Sequence, residues 1–365
     1  MDSATQKLDL TIADGVRDYI QGTPFSSHGD IVMLSGGVTN FVYRVKLDEP
    51  FRGKATVIIK HAKPYVRSWV ELPLELSRQG FEVEALRRVK PIIPDDALVT
   101  VPEVYLFDEK ECVIIMEDAG ADSVPLKQFM IEGRLSVLMA ERLGTALGEF
   151  AGRLHVWGKD PNVLEYFEGH KMAKELFAWV NYGRLYQAID PSKESDVAAL
   201  RDPPLEHSEE DLAIIKKVGE DMAIAVKNAK DTFVMGDFWP GNMAVCATNE
   251  NALQRVYMLD WEICRPGLAG IEIGQFCSEI DCVRHFYPQY KAAATKVISA
   301  FRDAYDRVGK PEKSVWIMGS VHWGTHLVVT APRAGWGGRE ATRKVVEAGK
   351  KIIVQAHNGQ VVSDF

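Results

Sequence analysis

The chain has 365 residues, 46% of them hydrophobic and 26% charged, which is the composition of a soluble globular protein with material for two or three domains. Its 43 basic and 51 acidic residues leave a formal charge of −8, so no global basic field exists to draw in nucleic acid or an anionic membrane surface. Five scattered cysteines without a CxxC read as buried reduced thiols, and neither a secretory leader nor an apolar run approaching about 18 residues is present, so the expected location is cytoplasmic.

Residues 10–22 carry a weak helical pattern through Leu10, Ile12, Val16, Tyr19 and Ile20. Residues 31–46 then read as two β-rich runs around Ser35-Gly36-Gly37, a hairpin signal. A plain turn accounts for it. The functional reading is a flexible cover in which Gly37 and Asn40 approach phosphate, since glycine permits close contact and unusual dihedrals. Residues 56–60 read as a strand ending in Lys60, and residues 81–89 as an amphipathic helix offering Glu82 or Glu84 as the lysine's partner. Between them, residues 61–69 are basic and aromatic, a candidate substrate-side or nucleotide-side element carrying Lys63 and Arg67. Residues 101–108 and 112–116 form a second hairpin-like pair that runs into Glu117-Asp118-Ala119-Gly120. Strand-like segments and one helix in this span make a small α+β unit, so the chain divides into residues 1–118 and 119–365.

The second part is helical. Apolar residues from Leu135 to Leu154 keep a period close to 3.6, and His155 at the end reads as a core or capping histidine. Tyr166, Phe167, Phe177, Trp179, Tyr182 and Tyr186 read first as core anchors, followed by a polar break over 191–208 and a helix over 209–228. Residues 233–245 contain the turn Pro240-Gly241 and the spacing Asp237-x-x-x-x-Asn242 of a kinase catalytic loop. There a carboxylate orients a hydroxyl proton, while an amide oxygen one short loop away holds magnesium. A second apolar run ends in Asp260 and Glu262, where such a site needs its metal-binding acid. The turn Arg265-Pro266-Gly267 leads quickly into residues 271–276 and further helices to about residue 355. No room remains for a long activation segment with a peptide-docking anchor, which favours a small-molecule acceptor over a protein. Trp316, His322, Trp323, Arg333 and Trp336 crowd the last quarter as candidates for the acceptor wall.

Taken in order, residues 35–45, 57–60, Glu82 to Leu86, Leu143-Gly144 to Leu154-His155, Gly236 to Asn242 and 259–262 resemble the aminoglycoside phosphotransferase and choline kinase superfamily. Residues 58–67, Leu72-Pro73-Leu74 and the pair Asp260 and Glu262 look most like methylthioribose kinases. The resemblance implies an α+β, bilobal protein-kinase-like fold: a small N-terminal lobe with an antiparallel sheet and one helix, and a larger helical C-terminal lobe. It implies transfer of the γ-phosphoryl of ATP, with Mg2+, to a hydroxyl of a small acceptor. Methylthioribose or a similar sugar is favoured, with aminoglycoside or choline/ethanolamine-type acceptors behind.

On the same reading Lys60 contacts the α/β phosphates and pairs with Glu82, with Glu84 as its rival. Gly37 and Asn40 cover the phosphates, and the backbone of Met116, Glu117 and Asp118 holds adenine. Asp237 is the catalytic base, Asn242 and Asp260 bind magnesium, and Glu262 assists. The chain departs from the family at Met235, where a histidine is usual, at Phe238-Trp239, where Leu-His is usual, and at Glu272, where an aspartate opens the next helix. Trp239 beside the base would make one acceptor wall bulky and apolar. The altered loop motivates a rival reading as a nucleotide-binding pseudokinase with a scaffold or regulatory role; retention of Lys60, Asp237, Asn242 and Asp260 argues for catalysis. Nothing in the sequence sets an oligomeric state.

Overall fold

The computed structural model describes residues 8–35, 37–201, 203–248 and 252–363, so the N-terminal segment and Gly36 of the glycine turn lie outside the described residues. The chain forms two compact units, one running to Pro91 with Val101–Ser123 added, the other made of Ile92–Thr100 and the chain from Val124 onward.

In the first unit a helix, α1 (Ala13–Ile20), precedes strands β1 (Ile31–Met33), β2 (Phe41–Phe51) and β3 (Lys54–His61). A helix α2 (Arg78–Val89) follows, then strands β4 (Val104–Asp108) and β5 (Val113–Glu117). They make one antiparallel sheet in the order β1-β2-β3-β5-β4. Strand alternation sorts its side chains onto two faces. Tyr43, Val45, Val57, Ile59, Val113 and Ile115 gather with Val16 and Ile20 of α1. Ile58, Ile114 and Met116 gather with Val83 of α2. Lys60, two residues beyond Ile58, therefore emerges on the face that carries α2. The basic, aromatic connection after β3, expected as a loop, is a small hairpin in which Tyr65–Val66 pairs with Trp69–Pro73.

The second unit opens its main chain path with α3 (Leu126–Ile131) and α4 (Val137–Trp157), the latter capped by Ser136, whose hydroxyl accepts the Met139 N–H at 3.2 Å. A later helix, α5 (Glu209–Asn228), starts at Ser208 with three acidic residues in its first turn, favourable at the positive end of a helix dipole. Strands β6 (Thr232–Val234), β7 (Met243–Ala247), β8 (Leu253–Met258) and β9 (Arg265–Gly267) follow, then helices α6 (Ala269–Phe286), α7 (Lys291–Gly309), α8 (Lys313–Val329) and α9 (Arg339–His357). β7 and β8 form a hairpin whose sheet also takes Val124–Pro125 beside β7 and Val99–Thr100 beside β8. The segment 265–267, expected as a turn, is the strand that pairs with β6, because Val234 and Arg265 sit opposite each other across buried backbone.

Helix α4 lies close against α7 through Gly144 and Gly148. A β-carbon on Gly148 would stand 2.2 Å from the Phe301 carbonyl oxygen, so only a residue without one permits this approach. Cys264, Cys277 and Cys282 are buried, as expected, whereas Cys112 and Cys246 are half-buried. No helix among the described residues is long and apolar enough to cross a membrane.

Candidate active site

In the first unit the lysine and the helix meet: Lys60 Nζ donates to Glu82 Oε1 at 2.8 Å, with both side chains buried. Sheet alternation brings Lys60 to this face, and Glu82 lies beside Val83 on the inward side of α2. Glu84 points elsewhere and takes the Arg88 guanidinium at 2.6 Å. Asn40 Oδ1 accepts from Arg78, and Arg67 donates to the Gly37 carbonyl, so the glycine turn is tied to the hairpin that follows β3. Met116 is buried at the end of β5. Glu117 faces Lys54 at 2.9 Å, and the Asp118 carboxylate accepts from Arg44, Thr56 and the Gly120 N–H. Burial would raise the Asp118 pKa, but those donors hold it below the usual carboxylate value.

In the second unit the loop between β6 and β7 carries Asp237. Its Oδ2 accepts from Asn242 Nδ2 at 2.8 Å and from the Trp239 indole N–H at 3.1 Å, while its Oδ1 accepts from Gln275 Nε2 at 2.8 Å. Trp239 is thus a donor to the carboxylate as well as the bulky neighbour expected from the sequence. The β7–β8 hairpin pairs Met243 with Met258, and the Leu259 N–H donates to the Asn242 carbonyl at 2.8 Å. This register sets Asn242 beside the Leu259–Asp260 step, the physical reason two distant motifs share one site. Asp260 has φ of 65°, the intervening Trp261 is fully buried with its N–H on the Met258 carbonyl, and Glu262 is buried as well. Burial, and then the neighbouring Asp260 charge, push the Asp237 carboxyl up to about 7 against the lowering effect of Gln275 and Asn242.

The loop is braced from behind. Glu272 Oε1 accepts the Gly236 N–H at 2.6 Å, and its Oε2 pairs with His155 Nε2 at 2.9 Å. His155 Nδ1 in turn meets the Tyr305 hydroxyl at 2.8 Å. His155 is therefore the satisfied core histidine that the sequence suggested, and Glu272 holds the loop.

Further along the same helix, Glu279 and Asp281 are buried. Glu279 Oε1 meets His326 Nε2 at 2.7 Å, and Asp281 accepts from the Trp323 N–H at 3.0 Å. Lys127 Nζ sits 3.7 Å from the Trp336 ring centroid, 5.6 Å from that of Trp239, and 3.9 Å from Glu279 Oε2. Of the late aromatic group, Trp336 meets Lys127, while Trp323 bonds Asp281, whose carboxylate also faces Arg284 and His285. Trp316 instead packs on Tyr305, His322 bonds Tyr182 in the core, and Arg333 pairs with Asp196. A cavity of about 450 Å³ opens between residues 92–99 and α4, but no candidate site residue lines it.

Residues 30–308 match the sequence profile of the phosphotransferase enzyme family. The chain belongs to that family. It is 28% identical to a 4-hydroxytryptamine kinase of Psilocybe cyanescens over 370 residues, 97% of each chain. It is 26% identical to methylthioribose kinase 1 of Oryza sativa subsp. japonica, over 68% of this chain and 54% of the relative. Among solved structures, choline kinase LicA from Streptococcus pneumoniae superposes with a TM-score of 0.50 at 11% identity, covering 93% of this chain and 98% of that one. The phosphotransferase thus has the protein-kinase-like α+β fold expected from its motifs, and it is an enzyme whose relatives act on small molecules.

Sequence reading did not single out Gln275, which bonds Asp237, or Glu279 and Lys127, which face each other beside Trp336. A signal was present: Glu272, Gln275 and Glu279 recur at steps of three and four, which puts them on one face of α6.

Proposed function

We propose that this phosphotransferase moves the γ-phosphoryl of ATP to a hydroxyl of a small arylalkylamine, a hydroxytryptamine-like acceptor being favoured over the sugar suggested by motifs alone. The observation that carries the reading is the buried Glu279 carboxylate and the Trp336 indole, which both face the Lys127 ammonium, itself 5.6 Å from the ring of Trp239, the donor to Asp237. Carboxylates and indole faces suit an ammonium-bearing aromatic compound; a neutral sugar asks for a rim of arginines and amides. Near full-length similarity to a 4-hydroxytryptamine kinase supports the same class. The sugar reading keeps one observation in its favour, the partial similarity to methylthioribose kinases.

In this mechanism Asp237 accepts the acceptor's hydroxyl proton, and an acid near neutrality is matched to that task. Lys60, held by Glu82, orients the α/β phosphates; Gly37 and Asn40 cover them; the Met116–Asp118 backbone takes adenine. Residues 1–118 would then serve the donor and 119–365 the acceptor, in the cytosol where ATP is at hand. Among the described residues no three His, Cys, Asp or Glu side chains gather as a metal site. Magnesium takes one or two protein oxygens and completes its shell with phosphate and water. Asp260 and Asn242 Oδ1 would supply those oxygens, since the Asn242 amide nitrogen is committed to Asp237, and Glu262 would assist. When bound, the ion neutralises charge on the transferring phosphate.

The test is ADP release by the full chain with ATP and Mg2+ and a panel of 4-hydroxytryptamine, methylthioribose, choline, ethanolamine and an aminoglycoside. The hydroxylated arylalkylamine is expected to be phosphorylated, and Asp237→Asn to lose about 10²- to 10⁴-fold in kcat. Nucleotide binding with no turnover on any acceptor would favour the pseudokinase; turnover on the sugar alone would favour the second reading.

A further inference from the structure

Glu279 is 2% exposed, and only one of its oxygens is hydrogen-bonded: Oε1 is fixed by His326, while Oε2 has no hydrogen-bond partner among the described residues. The group facing Oε2 is the Lys127 ammonium, 3.9 Å away, within Coulombic reach and beyond a hydrogen bond. The same ammonium lies over the Trp336 indole, and the Trp336 N–H likewise has no partner among the described residues. Trp336 is held face-on by Phe286 and edge-on by Tyr287, so its ring is a fixed surface. Lys127 is 23% exposed at its side chain and stands on a flexible four-carbon stem, so it has a route to water.

We propose that Glu279, Trp336 and Trp239 form a cation subsite that Lys127 occupies in the ligand-free protein and vacates for the ammonium of the acceptor. The inference rests on the amine reading of the function and deepens it. One ammonium replaces another, so the buried carboxylate stays compensated and net charge in the site is conserved. The incoming primary amine also brings donors that reach Oε2, which Lys127 does not. The spacing is suitable: Gln275, which holds the base, and Glu279 are four residues apart on α6, a rise of about 6 Å, the span between a ring hydroxyl and an ethylammonium. His326, from α8, packs against Glu279 and in turn against His322, and Asp281 and Cys282 lie close by on α6.

The experiment is calorimetric binding to the full chain of tryptamine, which lacks the acceptor hydroxyl, beside 3-ethylindole, which lacks the charge. The wild type is expected to prefer tryptamine. Lys127→Met removes the resident competitor, and tryptamine is expected to bind about tenfold tighter. Glu279→Gln is expected to abolish the preference for the charged ligand. Thermal melting checks that each variant folds; if Lys127→Met does not, Trp336→Leu carries the test by losing the same preference. Unchanged or weaker tryptamine binding in Lys127→Met, or a preference retained in Glu279→Gln, overturns the subsite. Phosphorylation of 4-hydroxytryptamine alongside either of those results leaves the proposed function standing and removes only this inference. Charge-selective binding without transfer to any hydroxylated amine keeps the subsite and defeats the proposed function.

Discussion

Glu272 holds Gly236 in place, its Oε1 accepting the Gly236 N–H at 2.6 Å from one helix turn inside α6. Gly236 has φ of 92°, a conformation natural to glycine, and a β-carbon there would stand 2.3 Å from the Ile263 carbonyl oxygen. The loop that bears Asp237 is thus braced by a carboxylate and a left-handed glycine, with Met235 fully buried in the core before it. Glu272→Ala would leave two buried partners, the Gly236 N–H and His155, without their acceptor. We expect a loss of about 3 kcal/mol or more, against about 1 kcal/mol for Glu272→Gln, read by urea unfolding.

The Lys60–Glu82 pair is buried on both sides, so removing one member takes a close opposite charge from a buried ion. Lys60→Met and Glu82→Gln should each cost about 3–5 kcal/mol or a large rise in the KM for ATP. The double variant should be milder than the sum of the two. Additive losses in a double-mutant cycle would show that the two side chains do not act together.

Ionising Asp237 is costly because its carboxyl is crowded and stands near Asp260. Its folded value, about 7, exceeds the ordinary 3.8, so between those values the folded state keeps a proton that the unfolded chain has released. Stability of the magnesium-free protein should therefore fall as pH rises from about 4 to 7 through this group. Asp237→Asn should flatten that part of the profile, and a slope unaffected by the substitution would assign it to another group.

Gln275→Leu deletes a hydrogen bond to the ionised form of Asp237. The carboxyl should move further up, and the rising limb of kcat/KM with pH should shift to higher pH. A limb that stays in place would mean that Asp237 does not control it.

Gly148→Ala sets two effects against each other. Alanine gains up to about 1 kcal/mol in helix propensity. A β-carbon 2.2 Å from the Phe301 carbonyl forces α4 away from α7, at about 1–3 kcal/mol or more. We expect net destabilisation, seen as a lowered melting temperature.

The sequence by itself determined where the motifs fall: Lys60 at a strand end, Asp237 and Asn242 across one tight loop, Asp260 after an apolar run. Those signals are local, set by strand period, turn residues and short spacings, and they survive without coordinates. Glu82 over Glu84 was decided only by tertiary structure, because the choice depends on which side of α2 faces the sheet. The same holds for the partners of Gln275, Glu279 and Lys127, which lie on segments far apart in the chain. A side chain's partner across such a distance depends on helix packing, and local pattern carries no record of it.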